Sequence, residues 1–166
     1  ATWNSVSSLW TPMGSGVDNT VRALEWDGSS LYVGGDFNNV GGAPASKIAR
    51  WNGGWNTLST GITAGSSVYS IATGAGSDFY IGGLFTEAGG TAANNIAKWD
   101  GANWSALGLG TAGTSSGVNA LVWDGTDTLY AGGTFTSAGA ITANNIAQWD
   151  GANWSALGSG MNVNDD

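Results

Sequence analysis

The chain has 166 residues, of which 42% are hydrophobic and 10% are charged, and it contains 29 glycines and ten tryptophans. Its net charge of −8 includes only four cationic side chains, and no apolar run approaches about 20 residues, which argues against nucleic-acid binding and against membrane insertion. Cysteine and histidine are absent, so disulfides, thiolate or imidazole metal sites and Ser-His or Cys-His catalysis are excluded.

The N-terminal segment, residues 1–14, repeats a motif that returns further along the chain. Trp3 aligns with Trp51, and the five residues that begin at Trp10 align with the five that begin at Trp154. These later copies lie where a fourth strand is expected. We therefore predict that residues 1–14 form an extra strand that belongs to no unit of its own chain. We expect it to pair with a neighbouring chain and add a strand across the junction.

Three longer units follow, at about 21–58, 68–107 and 118–157, within one repeat domain that covers 1–166. Each unit contains four short apolar stretches that are bounded by turn residues, and none has helical periodicity. Asp-Gly pairs stand between several of these stretches, and this dipeptide favours tight hairpins because glycine readily adopts positive φ. In the third unit the strands are expected to begin near Val118, Leu129, Ile146 and Trp154.

The units repeat closely in sequence. The run from Asn94 to Gly108 returns almost unchanged at 144–158, and the run from Leu31 to Phe37 has counterparts at 79–85 and 129–135. In each unit a Gly-Gly pair ends the second strand, an aromatic residue precedes the turn after the third, and a tryptophan begins the fourth. Four antiparallel strands in each of several repeats of this length are typical of β-propeller blades.

This pattern resembles the kelch repeat, in the tandem form found in secreted and surface-associated proteins of microbes and phages. The resemblance runs from about residue 9 to 158 and implies an all-β fold of β-propeller blades, with three complete four-stranded kelch-like blades plus an extra N-terminal strand. One enzyme with kelch repeats, the copper radical oxidase of the galactose-oxidase type, needs histidines and a cross-linked cysteine. This chain has neither residue type, so we expect no enzymatic activity, no metal and no cofactor.

The repeated residues predict a core between the units. We interpret the recurring tryptophans as packing between blades and the Gly-Gly pairs as bulges or points of close approach. The turn aspartates are expected to bond their own backbone rather than to form catalytic pairs, and Asp124–Asp127 lacks the other ligands of a calcium loop. Eight residues are expected to be largely buried: Leu24, Val33, Trp55, Ile71, Ile81, Trp104, Leu121 and Trp154.

The longer loops are the predicted place for recognition. They join strands two and three, and strand four to the next strand one, and they differ most between the units; variable loops on a rigid scaffold commonly bind partners. The candidate binding residues are Asp18, Asn19, Asn38, Asn39 and Glu87.

Two functions remain open. The first is a non-catalytic structural or assembly protein of a virion, an extracellular filament or a cell surface, and the surface rich in Ser, Thr, Asn and Gly favours such a location. The second is a glycan- or protein-binding propeller module. Closed propellers usually have about 4–8 blades, so we expect a homo-oligomer, either a six-bladed dimer or a repeating assembly. A fragment of a longer propeller is the other interpretation, because a further first strand would be due at Asp166.

Overall fold

The computed structural model describes residues 1–161, which form short β-strands and, within that range, no helix. The strands are β1 (Thr2–Asn4), β2 (Leu9–Thr11), β3 (Val21–Trp26), β4 (Leu31–Gly35), β5 (Asn39–Val40), β6 (Ala43–Pro44), β7 (Ile48–Trp51), β8 (Trp55–Thr57), β9 (Ala64–Thr73), β10 (Phe79–Ala88), β11 (Thr91–Ala92), β12 (Ile96–Trp99), β13 (Trp104–Ala106), β14 (Thr111–Ala112), β15 (Val118–Trp123), β16 (Leu129–Gly133), β17 (Ser137–Ala138), β18 (Ile141–Thr142), β19 (Ile146–Trp149) and β20 (Trp154–Ala156). Asp166, where a further first strand was expected, lies outside the described residues.

Most of these strands form three antiparallel meanders. The first sheet has the order β3-β4-β7-β8, the second β9-β10-β12-β13 with short β11 beside β10, and the third β15-β16-β19-β20. The four strands of the third sheet begin at the four predicted positions. The chain is therefore all-β, with several sheets that are consistent with propeller-like blades, and no sheet in the described part of the chain closes on itself.

The turn between the third and fourth strands is held by its aspartate. In the second sheet, Asp100 Oδ1 accepts hydrogen bonds from the backbone N–H groups of Ala102 at 2.8 Å and Asn103 at 2.7 Å. This turn sets the register that places Trp99 opposite Trp104. The predicted role of the turn aspartates is confirmed, since their carboxylates satisfy backbone donors that a tight turn leaves unpaired.

The Gly-Gly pairs lie at bulges, as predicted. The pairing of β9 with β10 shifts register between Gly82 and Gly83. A Cβ atom at Gly83 would clash with the carbonyl oxygen of Ser67 on the paired strand. Only glycine allows the two backbones to approach this closely.

Aromatic side chains fill the space between sheets. The ring of Tyr32 in the first sheet lies 4.4 Å from that of Phe79 in the second, centroid to centroid. The indole N–H of Trp104 donates to the Leu58 carbonyl of the first sheet at 3.1 Å. Trp154 makes the corresponding bond from the third sheet to the second. Its acceptor is the Leu107 carbonyl, at 2.8 Å. The structural interpretation of these tryptophans is therefore confirmed, because each both packs and bonds across a sheet contact.

The predicted core is wrong at one position and incomplete at another. Leu24 is 60% exposed, whereas Ile71 and Leu121, at the same place in the next two sheets, are 7% and 8% exposed. The physical reason is that Leu24 faces away from the second sheet, on a side where no complete sheet packs. Trp55 is half-buried for the same reason. The other six predicted core residues are buried: Val33, Ile71, Ile81, Trp104, Leu121 and Trp154.

The N-terminal segment forms two strands where one was predicted. β1 pairs with β2 and places Trp3 opposite Trp10, and Asn4 Oδ1 closes the turn by accepting from the N–H of Val6 at 2.9 Å. The hairpin repeats the third and fourth strands of a sheet. The carbonyl of Met13, two residues after the hairpin, accepts a hydrogen bond from Trp55 Nε1 at 2.9 Å. This segment therefore lies against the first sheet of its own chain. Pairing across a junction with a second chain stays a prediction.

Candidate functional site

Three of the five predicted binding residues come together in the loops beside the first sheet. Asp18 Oδ1 accepts from the backbone N–H groups of Asn38 at 2.9 Å and Asn39 at 3.0 Å, and Asp18 Oδ2 accepts from Asn39 Nδ2 at 2.7 Å. The donors of Asn39 and Asn38 lower the pKa of Asp18. Because these donors occupy both carboxylate oxygens, this cluster joins two loops of the same chain and leaves Asn38 exposed beside it.

The other two predicted residues lie apart from this cluster. Asn19 accepts a hydrogen bond from the N–H of Thr20 at 2.8 Å through its own side chain. Glu87 lies on the second sheet and accepts from the Thr63 hydroxyl. The contact of Asn19 is local and that of Glu87 joins β10 to the loop before β9, so the five residues do not form one site.

A groove between the second sheet and the segment 111–116, which leads to the third sheet, is a feature that the sequence did not predict. Its volume is about 570 Å³ and its lining includes Leu84, Thr86, Asn94 and Ser115, with no charged side chain among the lining residues. Buried Asn95 forms its floor. Its Nδ2 atom donates to the Thr111 carbonyl at 3.0 Å and to Ser116 Oγ at 3.1 Å. The sequence feature that could have pointed to this groove is the pair Asn94-Asn95, which repeats at 144–145.

A bidentate ion pair beside the first sheet is linked to the second sheet by a serine hydroxyl. Arg22 Nε and Nη2 donate to the two carboxylate oxygens of Asp36, each at 2.7 Å, and the Ser67 hydroxyl adds a third hydrogen bond. These bonds lower the pKa of Asp36 to about 2, with that from Arg22 the largest cause. Such a bidentate pair orients side chains but leaves no free acid or base for chemistry.

Asp124 is also held by hydrogen bonds within its own turn. Asp124 Oδ1 accepts from three backbone N–H groups in its own turn, those of Thr126, Asp127 and Thr128. The bond from Thr126 is the largest cause that lowers its pKa to about 2. Within residues 1–161, no group of three or more acidic side chains is placed to hold a metal ion. The same range contains no helix that is long and apolar enough to cross a membrane.

At the two ends of the sheet array, residues are exposed whose counterparts inside the array are buried. On the first-sheet end face, Leu24 is 60% exposed; on the third-sheet end face, Val122 is also 60% exposed. We define the first-sheet end face by Val21, Leu24 and Trp26, and the third-sheet end face by Val122, Tyr130 and Gly132. Exposed apolar faces of this kind mark interaction sites in soluble proteins.

Comparison with known proteins supports the propeller fold and assigns no activity. A family model described as a domain of unknown function (DUF5122) beta-propeller matches residues 30–55. The match extends from the second strand of the first sheet to the start of the fourth, which indicates a repeat of the β-propeller type. No curated protein matches the chain.

Proposed function

We propose that the protein is a non-catalytic structural component that assembles with copies of itself at an extracellular, cell or virion surface. The observation that supports this function is the contrast along the array of sheets. Leu24 and Val122 are exposed at its ends, whereas Ile71 and Leu121 are buried where two sheets meet. An isolated chain leaves much of both end faces in water, and a second copy supplies apolar surface that would cover it.

The number of sheets fits such an assembly. In this proposal the three sheets are kelch-like blades, and two chains together supply six, which is within the usual range for a closed propeller. A contact that joins different faces closes into a ring or continues as a filament, depending on the rotation between copies.

The charges of the chain favour association at moderate salt. The net charge of −8 makes two copies repel each other at long range. The residues that define the two end faces carry no formal charge. Salt screens the repulsion without weakening apolar contacts between the faces, so we expect association to strengthen as ionic strength rises.

Size in solution tests this function. Light scattering coupled to chromatography, over concentrations from micromolar upward, is expected to give a mass above that of one chain. Leu24→Asp is expected to lower that mass, because it places a charge on the first-sheet end face. The matched control Val6→Asp adds the same charge to the exposed turn of the N-terminal hairpin. A single-chain mass at every concentration would contradict the proposal.

A second candidate function is a binding module that uses the groove between the second sheet and the segment 111–116. The groove has polar uncharged side chains and a volume that suits a small ligand. Neutral glycans are the ligand class that this lining favours. An array of neutral glycans is expected to detect binding that Thr86→Trp abolishes, because Thr86 lies exposed in the lining. Absence of binding, or binding that Thr86→Trp leaves unchanged, would contradict this second function.

A further inference from the structure

The chain makes the same contact between sheets twice, and each end face carries one half of it. We propose that the third-sheet end face of one copy binds the first-sheet end face of a second copy, head to tail, in the register of the two internal contacts. This inference rests on the proposed function and names the surfaces that join the chains. Three features support it.

A glycine and a valine set the register of the internal contacts. In the first and second sheets, the first glycine of the Gly-Gly pair faces a valine of the following sheet. A Cβ atom at Gly34 would lie 2.6 Å from Val68 Cγ1, and one at Gly82 would lie 2.5 Å from Val118 Cγ1. Each valine is fully buried. The absence of a side chain on the glycine therefore creates the space that the valine fills.

The same two residue types are unpartnered at the ends of the described array. Gly132 is the third such glycine, and the nearest atom to a Cβ built there is the Asn145 carbonyl oxygen at 3.9 Å. Val21 is the corresponding valine of the first sheet and is 40% exposed. Docking in the internal register places Val21 of a second copy on Gly132.

An aromatic pair gives a second match. Tyr80 of the second sheet stacks on Trp123 of the third, with ring centroids 5.6 Å apart and planes inclined by 20°. Tyr130 and Trp26 occupy the corresponding positions on the two end faces. Trp26 is 59% exposed, and Tyr130 is half-buried although its counterpart Tyr80 is buried. The same register therefore stacks Tyr130 on Trp26 of a second copy.

The third feature is an acceptor for Trp55, and it involves the N-terminal segment. Trp55 Nε1 donates to the Met13 carbonyl of its own chain. The corresponding tryptophans of the second and third sheets donate to the carbonyls of Leu58 and Leu107. The next residue of this series is Leu157, at the third-sheet end. A docked second copy brings its Leu157 carbonyl to the place of Met13, so residues 1–14 and the second copy compete for the first sheet. Removal of residues 1–14 is expected to tighten association; weaker association would instead favour the pairing of these residues with a neighbouring chain.

The experiment uses one variant on each end face. Gly132→Val fills the space that Val21 of a second copy would occupy, and the open surroundings of Gly132 leave room for it in the single chain. Leu24→Asp charges the opposite face. Gly54→Val is the control, because Gly54 is also surrounded by open space but lies in the turn between β7 and β8. Sedimentation velocity measures the species present, and circular dichroism confirms that each variant is folded.

A head-to-tail contact predicts a distinct pattern. Each end-face variant alone is expected to associate about tenfold or more weakly than the wild type, and the control is expected to match the wild type. An equimolar mixture of the two end-face variants is expected to form a dimer and nothing larger, because each supplies the intact face that the other lacks. If the wild type associates and either end-face variant associates equally well, the pairing of these faces is wrong, while the proposed function stands. If the wild type remains a single chain at all concentrations, both are wrong.

Discussion

Leu24 and Leu121 occupy the same position in the first strands of two sheets but differ in exposure, 60% against 8%. Replacing each with alanine therefore compares the same substitution, in its effect on the free energy of unfolding, with and without a neighbouring sheet packed on the leucine. Leu121→Ala removes a buried side chain and leaves a cavity, at a cost of about 2–5 kcal/mol. Leu24 keeps roughly two fifths of its burial and would leave no enclosed cavity, so Leu24→Ala is expected to cost about 1 kcal/mol or less.

Urea unfolding followed by tryptophan fluorescence measures both changes, at a concentration low enough to keep the chains apart. With a slope of about 1–3 kcal/mol per molar urea, Leu121→Ala is expected to lower the midpoint by about 1 M or more, and Leu24→Ala by a few tenths. Val122→Ala is a further control on an exposed end face and is expected to behave like Leu24→Ala. Equal losses for Leu24→Ala and Leu121→Ala would refute the reasoning, because they would mean that a complete sheet covers Leu24 in the single chain.

Three further predictions concern the backbone, pH and metals. Gly83→Ala is expected to destabilise strongly in urea unfolding, because its Cβ would meet the backbone of the paired strand, whereas Gly54→Ala, with open space around it, is expected to be nearly neutral; similar costs would contradict the close approach. The lowered pKa of Asp36 means that its stabilising contribution is present above the unfolded-state pKa near 3.9 and is lost as the pH falls towards about 2. Acid titration of Asp36→Asn should therefore show reduced stability at neutral pH and convergence with the wild type near pH 2; a constant difference would argue against the contact with Arg22. Addition of EDTA is expected to leave the melting temperature unchanged, and a clear decrease would show that a metal contributes to stability.

The positions of the strands could be predicted because the signals that define them are local. Asp100 closes its own turn, and this turn sets the strand pairing that places Trp99 opposite Trp104. The Gly-Gly pair at 82–83 marks a bulge for a steric reason that acts within two paired strands. Since each unit repeats these residues, the sequence was sufficient to predict three meanders of four strands.

Burial at the ends of the array could not be predicted from the repeat. Leu24 and Leu121 have the same place in the repeat, and only the presence or absence of a preceding sheet distinguishes them. The predicted site failed for a related reason. Asp18 bonds Asn39 through a contact between two segments about 20 residues apart in sequence, whereas Glu87 lies in β10 of the second sheet. Loop composition indicated a polar surface but contained no signal for which loops meet.

The most direct test of the central claim, that the end faces join one chain to another, is hydroxyl-radical footprinting read by mass spectrometry as a function of protein concentration. Oxidation of Trp26 on the first-sheet end face and Tyr130 on the third-sheet end face is expected to fall together as the chains associate, because each ring covers the other between copies. Val6, in the turn of the N-terminal hairpin and 96% exposed, serves as the internal reference and is expected to keep its reactivity. Unchanged oxidation of both rings in a sample that sedimentation shows to be associated would contradict the account.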